Sequence, residues 1–185
     1  MSSAESWTIA RRQEEAPGET VPDATGDDLA ALYDAYAGTL YRYALTIVGS
    51  VEAAEDVLQE VFVGLLRRRG RARIEHLREY LLRATRNQAY MHLRKCRSRS
   101  RDVTLETWVE VTADFGQPEL AADISAALAR LPADQREVIA LRLTGELTFR
   151  EAAEVLGIPA ATAASRYRLA LSKLRTYLTE SNDDA

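Results

Sequence analysis

From Leu29 onward, apolar side chains recur at helical spacing in two blocks, and the pattern lapses between residues 97 and 118. A sheet needs alternation with period 2, which would scatter these stripes over both faces, so the chain is bound to fold as helices. In the first block Leu29, Leu32, Tyr33, Tyr36, Leu40, Tyr41, Tyr43, Ala44 and Ile47 form one stripe, with Asp27 and Asp28 at its start. Acidic residues there favour the positive end of the helix dipole. Gly49 ends that helix and Ser50 is suited to cap the next. The second helix, about 51–69, turns Ala54, Val57, Leu58, Val61, Phe62 and Leu65 inward, and Gly70 breaks it. The third, about 74–95, carries Leu77, Tyr80, Leu81, Ala84, Ala89 and Leu93 on its apolar side. Three such helices on short turns make a bundle.

The second block is predicted to hold helices near 119–130, 133–143, 149–156 and 160–178. The expected fold is all-α: two small helical domains, 26–96 and 119–179, joined by a flexible linker over 97–118. Residues 1–25, polar and broken by Pro17, Gly18 and Pro22, read as a flexible leader, and 180–185 as an acidic tail. With 185 residues and 46% hydrophobic content, two small domains can each close a core.

No apolar run approaches the roughly 20 residues that span a bilayer, and the N-terminus lacks the apolar segment of a signal peptide. Cys96 is the one cysteine, which rules out an internal disulfide and any cysteine-based metal site. The compartment these features predict is the cytoplasm. The net charge of −4 hides a segregation. Between Arg67 and Arg101 lie twelve arginines and Lys95 against Glu75 and Glu79, which is 13 of the 24 basic residues and a local charge of +11. Acidic flanks surround this stretch, an asymmetry that points to a local polyanion-binding surface.

The stretch "TFREAAEVLGIPAATAASRYR", residues 148–168, contains a capping box in Thr148 and Glu151. Gly157 supplies a left-handed residue after Leu156, Ile158 plugs the corner, and Pro159 suits the start of the following helix. That helix would turn Ala163, Tyr167, Ala170 and Leu174 inward and present Thr162, Ser165, Arg166 and Leu169 outward. Small residues at 160, 161, 163 and 164 keep its start slim. This is helix-turn-helix geometry, with a second helix that can enter a major groove.

The run "LARLPADQREVIALRLTGELTFREAAEVLGIPAATAASRYRLALSKLR" resembles the promoter-reading C-terminal domain of the extracytoplasmic-function (ECF) sigma factors of bacterial RNA polymerase. Upstream, "LYDAYAGTLYRYALTIVGSVEAAEDVLQEVFVGLLRR" and "YLLRATRNQAYMHLRK" resemble their N-terminal domain, so the likeness covers about residues 29–178. It implies that 26–96 acts as sigma region 2 and 119–179 as sigma region 4. Docking on the polymerase clamp helices would fall to Asp56, Gln59, Glu60 and Phe62. Capture of the minus-ten element would fall to Arg83, Arg86, Asn87, Tyr90, His92, Arg94 and Lys95, with Met91 standing where the family usually has Asp. Arg83, Arg86, Arg94 and Lys95 suit phosphates and Asn87 suits a base edge. The minus-thirty-five element would be read by Ala161, Thr162, Ser165, Arg166, Arg168, Leu169 and Lys173. Leu169 is suited to a thymine methyl. The implied partners are core RNA polymerase, promoter DNA and an anti-sigma factor; no cofactor is implied.

Two other classes compete. An enzyme would need a constellation that is missing from the sequence: no Gly-rich phosphate loop, no Ser/His/Asp spacing, and His76 and His92 with no partners at metal spacing. A stand-alone helix-turn-helix regulator would use the second block but leave the first unexplained.

Overall fold

The protein's structure, a computed structural model, describes residues 26–67, 74–96 and 118–183. The predicted leader, residues 97–117 of the predicted linker, Gly70 and the last two residues of the tail lie outside the described residues. Seven helices and no strand occur among the described residues: α1 (Gly26–Val48), α2 (Val51–Arg67), α3 (Leu77–Lys95), α4 (Pro118–Ala129), α5 (Ala133–Leu143), α6 (Phe149–Leu156) and α7 (Ala160–Asp183).

Helices α1 to α3 form the predicted bundle. Leu40, Tyr43, Ala44, Leu45, Leu81, Leu82 and Ala89 are fully buried between them, and Ala53, Ala54, Val57, Leu58 and Val61 close the α2 side. Gly49 has the left-handed φ of 69° that ends α1, and its amide donates to the Leu45 carbonyl. Helix α3 starts at Leu77, later than the sequence pattern predicts. Residues 74–76 bend into the helix, and His76 stands at the cap position without a capping hydrogen bond.

In the second unit, α4, α5 and α7 meet around Leu128, Leu131, Ile139 and Ala170, with Tyr167, Leu174 and Tyr177 at the margin. The turn from α5 to α6 is tight. A Cβ on Gly145 would lie 2.6 Å from the Leu141 carbonyl oxygen, and Glu146 adopts a left-handed φ of 49°. Arg142 secures this turn by donating to the Leu147 carbonyl while its guanidinium lies over the Phe149 ring, 4.7 Å from the centroid. Helix α7 continues beyond the predicted end at 178, so residues 180–183 belong to it. Two contacts hold its last turns. Thr179 donates to the carbonyls of Arg175 and Thr176, and Glu180 pairs with Arg130 of the loop after α4 at 2.9 Å.

The two units do not stand apart. Helix α1 lies against α5, and α3 against α6. One apolar cluster runs through the contact, joining Leu40, Tyr43, Leu81 and Leu82 to Val138, Leu141, Leu147 and Val155. Nothing in the hydrophobic spacing foretells it.

Candidate nucleic-acid interface

On α3, residues 83, 86, 87, 90 and 94 are three or four positions apart, so they fall on one stripe of the helix. Arg86, Asn87, Tyr90, Met91 and Arg94 line a shallow hollow of about 410 Å³. Asn87 and Arg94 are exposed, and Arg86 and Tyr90 half-buried. A cation, an amide and an aromatic ring side by side can neutralise phosphate, bond a base edge and stack a base.

His92 and Lys95 point elsewhere. They line a second cleft, of about 430 Å³, between α2 and α3, together with Asp56, Gln59, Glu60, Gln88 and Met91. The set predicted for minus-ten capture is therefore divided, because 92 lies about half a turn and 95 about a third of a turn from the centre of the 83–94 stripe. Two of its members share a cleft with three predicted polymerase contacts. His92 Nε2 also lies 3.3 Å from Cys96 Sγ. Phe62 leaves the predicted docking face altogether: it is 6% exposed, and its ring packs on Tyr33 with centroids 5.0 Å apart. At that position on an amphipathic helix, an aromatic ring gains more from the core than from water.

Sequence reasoning missed the residue with the most partners at this interface, Glu137 of α5. It is 4% exposed, and its carboxylate accepts from Arg86 Nε at 2.7 Å, from the Tyr43 hydroxyl at 3.4 Å and from the Tyr90 hydroxyl. Its position was a usable signal. Glu137 stands one turn before Leu141 in "EVIAL", an acid on a buried face that must find donors. Burial, reinforced by the neighbouring carboxylate, pushes the Tyr43 phenol well above its ordinary value and Tyr90 up to about 12. Burial alone would lower the Arg86 guanidinium, but its hydrogen bond and ion pair with Glu137 reverse that and raise it. Burial lowers Arg136, which has the charge of Glu137 nearby. Arg83, also on the stripe, donates to the Glu154 carbonyl of α6 at 2.6 Å.

The corner between α6 and α7 has the predicted caps. Thr148 Oγ1 accepts from the Glu151 amide at 3.3 Å, and the Glu151 carboxylate accepts from the Thr148 amide at 2.6 Å. Gly157 takes a φ of 69° and frees α7 to turn away. Ala152, Ala153 and Ala163 are buried where the two helices cross. Ala161, Ser165, Arg168 and Leu169 are exposed on α7, Leu169 by 53%, while Thr162, Arg166 and Lys173 are half-buried. Arg166 Nε pairs with Asp134 Oδ2 at 3.2 Å, which steadies its stem across the α5 N-terminus. Among the described residues no group of three or more His, Cys, Asp or Glu could hold a metal, and no helix is long and apolar enough to cross a membrane.

A basic, aromatic helix on one unit and a capped helix-turn-helix on the other define a two-part nucleic-acid-reading protein. Comparison with known proteins gives its kind. Residues 32–100 match the Sigma-70 region 2 family and residues 121–174 the Sigma-70 region 4 family. The chain is 30% identical to the ECF RNA polymerase sigma factor SigE of Mycolicibacterium smegmatis, over 92% of this chain and 71% of that one. It is 33% identical to SigL of Mycobacterium tuberculosis, over 82% of this chain and 89% of that one. It belongs to the ECF RNA polymerase sigma factors. A sigma factor binds core RNA polymerase and directs transcription from promoters, so this is a regulatory protein of transcription, and the stand-alone regulator gives way. Its fold is shared by the sigma factor RpoE solved with the anti-sigma factor NepR from Bartonella quintana. That match has a TM-score of 0.64 at 24% identity, over 83% of this chain and 96% of that one.

Proposed function

We propose that the labour of promoter recognition is divided between the two helical units, with 26–96 serving as region 2 and 119–179 as region 4. The α3 stripe of Arg83, Arg86, Asn87, Tyr90 and Arg94 captures the minus-ten strand. The cations offset phosphate charge, while Asn87 and Tyr90 receive an unstacked base. Unstacking costs a few kcal/mol per base, so these contacts must act together. On α7, Ala161, Thr162, Ser165, Arg166 and Leu169 read the minus-thirty-five element in the major groove, with Arg168 and Lys173 on the backbone. Asp56, Gln59 and Glu60 meet core polymerase on the exposed face of α2. His92 and Lys95, which share their cleft, serve the junction between polymerase and DNA.

The observation that carries this reading is the stripe itself: five residues of phosphate- and base-binding chemistry on one helix face, in the segment matched to region 2. Polymerase performs the chemistry, and this chain supplies recognition. The cytoplasm is its place of action. The solved relative bound to an anti-sigma factor supports a partner of that kind for this chain. Run-off transcription with core polymerase over a promoter library tests the whole. The expected result is initiation from a small set of related promoters, lost with Asn87→Ala at the minus-ten positions alone. Equal use of all promoters by the Asn87 variant, or no initiation at all, refutes the assignment.

A further inference from the structure

The same contact that buries Glu137 also covers part of the face assigned to DNA. Of the five residues on the α3 stripe, three are engaged by the second unit: Arg86 and Tyr90 by Glu137, and Arg83 by the Glu154 carbonyl. A fourth contact at the margin, Arg78 with Glu146 at 3.3 Å, joins the start of α3 to the turn before α6. We infer that the free factor is self-closed, with Glu137 as a latch that holds α5 and α6 over the strand-capturing stripe of α3 until the units part. This rests on the assignment of Arg86 and Tyr90 to the minus-ten strand.

The chemistry of the contact favours a seam that opens over a permanent core. At the centre of an otherwise apolar cluster stands a carboxylate whose three hydrogen-bond donors all come from the other unit. An apolar residue of similar volume would hold two units together at least as well, because burying an ion pair forfeits the hydration of both charges. The ion pair does something an apolar residue cannot: once the units separate, water satisfies Glu137, Arg86 and the two tyrosines. The carboxylate also has the geometry of a decoy. It offers two anionic oxygens to the guanidinium and phenol that are to meet phosphate and base, so latch and DNA exclude each other. Closure leaves Asn87 and Arg94 exposed, and Arg83 exposed though tied to the Glu154 carbonyl, enough for a first encounter but not for capture.

The test uses the full chain with Glu137→Gln, which keeps the side-chain volume and removes the charge. Three readouts are taken: radius of gyration by small-angle scattering, hydroxyl-radical modification of Tyr43 and Leu141, and binding of a fluorescein-labelled single-stranded DNA of mixed sequence. The latch predicts a larger radius, new modification at both residues, and DNA affinity raised at least about fivefold, the lower end of ordinary coupling between sites. Transcription by holoenzyme assembled at saturating core polymerase should stay unchanged, since the latch acts on the free factor. A folded variant with the wild-type radius and DNA affinity overturns the proposal. So does opening with no gain in DNA binding, and Arg86→Ala in holoenzyme then tells whether the minus-ten assignment falls with it. Should Glu137→Gln not fold, Glu146→Arg at the exposed margin replaces it. That variant should raise DNA binding, and the swap Arg78→Glu with Glu146→Arg should bring it back down; no response to either overturns the latch.

Discussion

Arg166 illustrates how a single side chain can be both held and available. Its pairing with Asp134 is half-exposed, so the pair adds little stability, but it restricts the rotamers of a long side chain that would otherwise be ordered only on DNA. Arg166→Ala should lose about 1–3 kcal/mol of promoter discrimination, measured as the ratio of transcripts from matched and mismatched minus-thirty-five elements. Thr148 acts on stability alone. Its hydroxyl satisfies an amide at the start of α6, so Thr148→Ala should cost about 0.5–2 kcal/mol in urea unfolding. Tyr90 supplies a pH prediction. It faces Glu137, Arg86, Arg136 and Tyr43, and the folded chain raises it from 10.0 to about 12. A raised value means the folded state favours the protonated phenol. Its contribution is complete below pH 10.0 and is lost as the pH climbs toward about 12. Tyrosinate absorbance and scattering recorded together over that window should rise in step, and Tyr90→Phe should remove its part of the absorbance change.

At the scale of elements, two glycines should respond to alanine in opposite directions. Gly38 lies inside α1, where an added Cβ would meet nothing closer than Arg42 Nη1 at 3.9 Å. Gly38→Ala removes backbone freedom from the unfolded chain and should stabilise by about 0.5–1 kcal/mol. Gly145 has backbone where the Cβ would go, at 2.6 Å, in the turn that spaces α5 from α6. Gly145→Ala should destabilise by about 1–3 kcal/mol, the range for overpacking. Thermal unfolding of the two variants beside the wild type decides both signs. The turn matters beyond its own stability, since Glu146 and Leu147 within it both reach toward the first unit.

The whole molecule joins two units whose proposed DNA surfaces each carry three cations. The α3 stripe carries Arg83, Arg86 and Arg94, whereas the exposed face of α7 mixes Arg166, Arg168 and Lys173 with Leu169 and Leu171. Salt should therefore weaken promoter binding through both surfaces, with each cation on a phosphate adding its own share. For the holoenzyme on a promoter, Arg94→Ala should lower the slope of log affinity against log salt by about 0.7–0.9, the share of one phosphate. A Leu169→Ala change should leave that slope alone and weaken only sites that place a thymine methyl beneath it. Filter binding over a salt series separates the two.

Much of this molecule is local physics and was legible in the sequence. Helical period, the Gly49 and Gly157 stops and the Thr148–Glu151 cap each depend on residues within a turn or two of one another, so spacing alone determines them. The positive stretch around α3 was legible for the same reason, as charge is a property of composition. What the tertiary structure decided was which faces meet. It gave Phe62, already on the inward stripe, Tyr33 as its partner, turned His92 and Lys95 toward α2, and set Glu137 against Arg86, 51 residues away, and Tyr43, 94 away. Such pairings depend on how whole helices dock across a gap in the chain, and a helix's hydrophobic stripe fixes that it docks without fixing on what. Glu137 stood out in the sequence as an acid on a buried face, but which donors satisfy it could be found only once α5 was seen lying on α1 and α6 on α3.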